Sequence, residues 1–129
     1  MAKCKALTLW QPYAQAVAAG MKKYETRSWR TNYRGDLLIH ASVRPISKEY
    51  CVLAKRYGLR DCPMGVIVGK VKLVDCILMT PEFIAAQCNK EIDWGDWQVG
   101  RYAWEFAELE VFKEPIPAKG RQGLWTWKS

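Results

Sequence analysis

The sequence predicts a mixed α+β fold, a strongly bent antiparallel sheet or barrel with two or three short helices. Period-two alternation recurs from Lys23 onward, for instance Tyr102, Trp104 and Phe106 set against Ala103, Glu105 and Ala107. Helical stretches are brief and preceded by Pro or Ser/Thr, and the first two are followed by Gly. A chain of 129 residues, 50% hydrophobic and 26% charged, has the size and composition of one folded domain, taken as residues 1–129.

Lys5 to Leu9 reads as a strand. Pro12 at the first helical position opens a helix through Ala19, with Ala14, Val17 and Ala18 as a narrow stripe and Gly20 at its C-terminal stop. Lys23 to Arg30 alternates as a strand and puts Lys23, Glu25, Arg27 and Trp29 on one face. Thr31 to Gly35 is a turn, and Asp36 to Ala41 a strand at least partly buried on both faces. Ser47 caps a helix from Lys48 to Tyr57 whose apolar side is Val52, Leu53 and Tyr57. Gly65 to Met79 is a long bent strand with Gly69 at the bend. Thr80 and Pro81 start a helix through Gln87, and residues 89–100 form a loop. Tyr102 to Phe112 is a strand, Pro115 and Pro117 break regularity, and Leu124 to Trp127 makes a last strand.

The net charge of +7 is unevenly spread. Residues 1–60 hold 12 Lys+Arg against 3 Asp+Glu, whereas residues 61–129 hold 8 against 10. Clustered cations that neutralise phosphates release condensed counterions, so this asymmetry points to a polyanionic partner. No apolar run reaches the ~20 residues of a membrane-spanning helix, and the first nine residues lack a signal-peptide layout, so a cytoplasmic location without membrane attachment is expected. Cys4, Cys51, Cys62, Cys76 and Cys88 contain no C-x-x-C pair, and His40 is the single histidine. Neither disulfides nor a metal site is expected, no cofactor is implied, and the thiols are read as free and mostly buried.

Chemistry concentrates in Gln11-Pro12-Tyr13, then Gly20-Met21-Lys22-Lys23-Tyr24-Glu25-Thr26-Arg27, then Gly35 to Ala41. Lys22, just past the helix at the mouth of the sheet, can meet a phosphate with a flexible ammonium or serve as a general base if desolvated. Glu25 and Arg27 leave one strand face, where a carboxylate can accept from a base amine and a guanidinium can donate in pairs; alternatively they bind each other. Gln11 and Tyr13 flank a helix N-terminus suited to an anion, with capping as the plainer role for Gln11. Trp10, Trp29 and Tyr33 are the nearest stacking platforms. His40 on an apolar strand reads as a packed, hydrogen-bonded ring.

Gly-x-Lys-x-x-Glu-x-Arg after a helix opened by Gln-Pro-Tyr resembles the ASCH domain signature, and Pro115 to Trp125 is similar to that family's closing stretch. The likeness runs over residues 7–127. It implies a PUA-like β-barrel with a basic cleft that binds RNA, another nucleic acid or a nucleotide-like small molecule, through Gln11, Tyr13, Lys22, Glu25, Arg27 and Trp29. Some members are enzymes: amidohydrolases acting on N4-acetylcytidine, and ribonucleases. If this chain is an enzyme, Lys22 and Glu25 are its acid and base. The deacetylating members carry a threonine three residues after the motif lysine, where this chain has Glu25, and Thr26 lies on the opposite strand face. A module that binds a protein partner is the third alternative. On this reading Lys22→Ala and Arg27→Ala weaken binding with little loss of thermal stability, whereas an equal loss of stability assigns a structural role.

Overall fold

Strands need partners for their backbone N–H and C=O groups, and among the described residues all six strands join one sheet. The computed structural model describes residues 3–129. Along the chain run β1 (Lys3–Leu9), α1 (Tyr13–Ala18), β2 (Tyr24–Arg27), β3 (Gly35–Ala41), α2 (Lys48–Arg56), β4 (Val66–Leu78), α3 (Pro81–Ala85), α4 (Asn89–Asp93), β5 (Tyr102–Pro117) and β6 (Leu124–Lys128). The spatial order is β2-β5-β4-β3-β1-β6. All neighbours are antiparallel except β1 and β3, which run parallel from Lys5↔Leu37 to Leu9↔Ala41. Because β2 and β6 remain edges, the bent sheet is a mixed half-barrel with short helices, the expected α+β class.

The bend comes from lost register in the two longest strands. Pairing of β4 with β5 shifts between Ile67 and Gly69, Lys70 and Lys72, and Leu73 and Asp75. Extra residues on one strand kink it and raise its twist. At the first shift the partner of β4 jumps from Ile116 to Val111, so residues 112–115 bulge away from the ladder. Gly69 sits there because a Cβ would lie 2.6 Å from the Glu110 carbonyl oxygen.

Both faces of β3 are buried, as the sequence predicts. Leu37 and Ile39 join Leu7, Leu9, Val71, Leu73 and Trp104 beneath α1, while Leu38 packs with Ala6, Ile67 and Trp125 on the other face. Buried Ala14, Val17 and Ala18 let α1 lie against β3 and β4, and Gly20, at φ +75°, ends that helix.

Several local expectations are corrected. The strand expected over residues 23–30 is only Tyr24–Arg27, because β5 begins at Tyr102, opposite Arg27, and offers no partner beyond it. Residues 89–100 are not all loop: α4 forms where Glu91 is drawn under β2. Strand β5 continues through Pro115 and Pro117, since Pro115 falls in the bulge and the ladder resumes at Ile116. Pro12 precedes α1 as its N-cap, one position earlier than expected. Helix α2 buries Ala54 and leaves Val52 60% exposed. The five thiols are free but none is fully buried, and Cys51 and Cys88 are exposed.

Gly69→Ala forces a methyl against backbone rather than a yielding side chain, so it should destabilise the fold by about 1–3 kcal/mol. Urea unfolding checks this through a lower midpoint at unchanged slope.

Candidate functional site

An ammonium buried away from water needs an acceptor for each proton. Lys22 follows the turn after α1 and is only 3% exposed. Its Nζ donates to the Tyr24 carbonyl at 2.6 Å and the Trp94 carbonyl at 2.6 Å, and lies 3.3 Å from Glu25 Oε1. Lys22 is therefore not the mobile lysine at the mouth of the sheet that the sequence suggests. The segment after α4 closes over it and supplies the second carbonyl.

Glu25, also buried, uses its other oxygen to accept from Arg27 Nε at 3.0 Å. Arg27 Nη2 donates to the Thr8 carbonyl on β1 at 3.1 Å. The i, i+2 spacing on β2 thus forms the mutual ion pair. A guanidinium has five N–H donors; two are engaged here, and the side chain stays 23% exposed. The remaining donors meet no protein acceptor among the described residues.

Tyr13 stands beside this cluster, its ring edge-on to Tyr50 and Trp94, with Lys22 Nζ 5.7 Å from its centroid. Burial, then hydrogen bonding with Tyr50, pushes the Tyr13 phenol well above its ordinary range, so it stays a neutral hydroxyl at physiological pH. Trp29, 38% exposed, is held edge-on against Trp104 at 4.7 Å. Trp10 is 46% exposed, with the Arg44 guanidinium 3.6 Å over its ring. Tyr33 packs its ring on the core and donates its hydroxyl to the Asp36 carbonyl. Gln11 takes the capping role: Oε1 accepts from Gln15 N at 2.9 Å and Nε2 donates to the Pro63 carbonyl at 2.7 Å. At 1% exposure it positions α1 rather than facing solvent.

The structure therefore gathers Lys22, Glu25, Arg27 and Tyr13, sets Trp29 two residues beyond, and places Gln11 behind them. Sequence reasoning missed Thr8, Glu91 and Trp94. Glu91 accepts from the Lys23 and Tyr24 amides at 3.0–3.2 Å, fastening α4 to the free edge of β2. Thr26 Oγ1 accepts from the Asp96 amide at 2.9 Å and so faces the 95–101 loop, on the strand face opposite Glu25. Among the described residues no group of three or more His, Cys, Asp or Glu could hold a metal, and no helix is long and apolar enough to cross a membrane.

Residues 7–116 match the ASCH domain. The chain belongs to the ASCH family. The match includes the whole Lys22–Glu25–Arg27 cluster and ends at Ile116, two residues into the closing stretch that resembles the family in sequence. ASCH domains are PUA-like and associated with RNA binding. Activating signal cointegrator 1 of Mus musculus is 37% identical over 81 residues, and that of Homo sapiens 36% over 81 residues. Each alignment covers 55% of this chain but 14% of the relative, so the chain spans a small part of those proteins' length. The crystal structure of ASCH from Zymomonas mobilis superposes with a TM-score of 0.59 at 15% identity, over 88% of this chain and 72% of that one. A point mutant of the same protein gives 0.54 at 15% identity, over 88% and 74%. At that identity the likeness shows the shared fold.

The burial of Lys22 revises what substitutions should do to this ASCH domain. Lys22→Met strands two buried carbonyls and weakens the seat of Glu25, a loss of about 3–5 kcal/mol. Arg27→Ala removes hydrogen bonds at a part-exposed site and should cost roughly 1 kcal/mol. Urea midpoints of the two variants check the ranking, and equal losses would contradict it.

Proposed function

We propose that this ASCH domain binds RNA, or a nucleotide-like portion of it, at Arg27, with Glu25 and Lys22 as the support that holds the guanidinium in place. One observation carries the reading. Arg27 is fixed through Nε and Nη2 yet keeps donors that meet no protein acceptor among the described residues, in a chain of net charge +7. A guanidinium locked by a carboxylate and a carbonyl loses little further freedom on meeting a phosphate, and its planar fork suits a bidentate anion. Trp29 adds an exposed indole close in sequence, whose ring Trp104 orients and on which a base can stack.

The same geometry argues against assigning hydrolysis to Lys22 and Glu25. All three ammonium protons of Lys22 have acceptors, and Glu25 is engaged through both oxygens. As an ammonium Lys22 has no lone pair to offer, and two of the roughly four lone-pair sites of Glu25 are already taken, so this arrangement suits holding Arg27 better than proton transfer. Binding needs none of these contacts to break.

Fluorescence anisotropy with short single-stranded RNA, hairpin RNA and duplex DNA, at several salt concentrations, tests the proposal. The wild-type chain should bind at least one of the RNAs with affinity falling as salt rises, and Arg27→Ala should weaken that binding at least tenfold. Trp29→Ala should weaken it severalfold with less change in salt dependence. Binding by Arg27→Ala equal to wild type would exclude the site, and absence of wild-type binding to all three would exclude the polymer.

A further inference from the structure

A second basic surface lies at the other end of β1, and it takes in much of the closing stretch that the ASCH match leaves out. An open groove of about 670 Å³ lies over β6 and the turn before it, lined by Lys5, Lys119, Arg121 and Lys128 with Trp125 and Trp127 among its walls. No Asp or Glu lines it. Lys119, Arg121 and Lys128 are exposed, and none of the four cations forms an ion pair among the described residues. Elsewhere Arg34, Arg56, Lys70, Lys72 and Arg101 have carboxylate partners, while Lys23, Arg30, Lys48, Lys55, Arg60, Lys90 and Lys113 are without an ion pair among the described residues; what sets the four apart is that they line one groove together. A lysine on an edge strand guards against stray strand pairing. That accounts for Lys128, but not for Lys119 and Arg121, which lie in the turn between β5 and β6.

The groove is rigidly tied to the Arg27 site through Thr8. The Thr8 carbonyl accepts from Arg27, while its hydroxyl accepts from Trp125 Nε1 at 3.0 Å and pairs with His40 Nδ1 at 3.1 Å. His40 Nε2 donates to the Ala118 carbonyl at 2.7 Å, which anchors the start of the turn. Gly120 is required beneath it, because a Cβ would lie 2.6 Å from the His40 ring and 2.8 Å from Thr8 Oγ1. Lys5 and Thr8 are three residues apart on β1, roughly 10 Å.

We infer that the β6 groove is a backbone-reading subsite for single-stranded RNA, in which Lys119, Arg121 and Lys128 contact successive phosphates of the strand whose other portion reaches Arg27. This deepens the RNA reading above and rests on it for the class of ligand. Unpaired cations beside a part-exposed indole, Trp127, form the combination that tracks a single strand without reading its sequence.

The test compares wild type, the triple variant Lys119→Ala/Arg121→Ala/Lys128→Ala, and Arg27→Ala. The probes are a labelled 12-nucleotide oligouridylate by anisotropy and uridine 5′-monophosphate by NMR titration. The triple variant should bind the 12-mer at least tenfold more weakly, and its log affinity against log salt should flatten by about 2, at ~0.7 per lost phosphate contact. Its binding of the monophosphate should stay at the wild-type level. Its melting temperature should also hold, since the three side chains are exposed and unpaired. Arg121→Glu alone provides a second variant and should weaken 12-mer binding more than Arg121→Ala. A triple variant with wild-type affinity and salt slope for the 12-mer overturns the inference, as does a wild-type chain that binds anionic vesicles but no 12-mer. If Arg27→Ala binds the 12-mer normally while the triple variant does not, the groove stands and the Arg27 reading falls.

Discussion

The buried ammonium of Lys22 is the constraint on which the site depends. Taking a lysine head group out of water costs several kcal/mol unless its protons find acceptors. Here the acceptors come from three places: the Tyr24 carbonyl on β2, the Trp94 carbonyl after α4, and the Glu25 carboxylate. Meeting that requirement fixes the 89–94 segment against the edge of the half-barrel. It also fixes which way Glu25 faces, and Glu25 in turn determines where Arg27 can lie.

From Lys22 a continuous polar chain crosses the fold. Glu25 orients Arg27, Arg27 reaches Thr8, and the Thr8 hydroxyl joins Trp125 on β6 to His40 on β3. Because the Nε2 of His40 donates to a carbonyl, Nδ1 is left to accept from Thr8, whose oxygen receives the indole proton of Trp125. Each of these buried polar groups is satisfied by the next. Charge-bearing groups at the two edges of one bent sheet are thereby held in a fixed relation.

The fold class was legible because strand alternation, proline-opened helices and Gly69 are local signals, and the structure keeps them. What local signals could not supply was partnership. Nothing in the alternation of residues 23–30 says that β5 begins only opposite Arg27, and nothing in the turn after α1 says that residues 88–100 will cover Lys22. The motif located the right residues but not their depth: Lys22 read as a surface cation because burial is decided by Trp94, 72 positions away. Tallying charge by halves likewise drew attention to residues 1–60, although three of the four cations of the β6 groove come from the acidic half. His40 was read correctly because a lone histidine among apolar neighbours has few other roles.

The central claim is that Arg27, held by Glu25 and Thr8, is the group that meets an anion. Side-chain ¹H–¹⁵N NMR of the arginine Nε–H groups, recorded while single-stranded RNA is added, tests it most directly. The account predicts a resolved, exchange-protected Arg27 Nε–H in the free chain that shifts in a saturable way as RNA binds. An Arg27 resonance that stays in place while RNA binding saturates would contradict it.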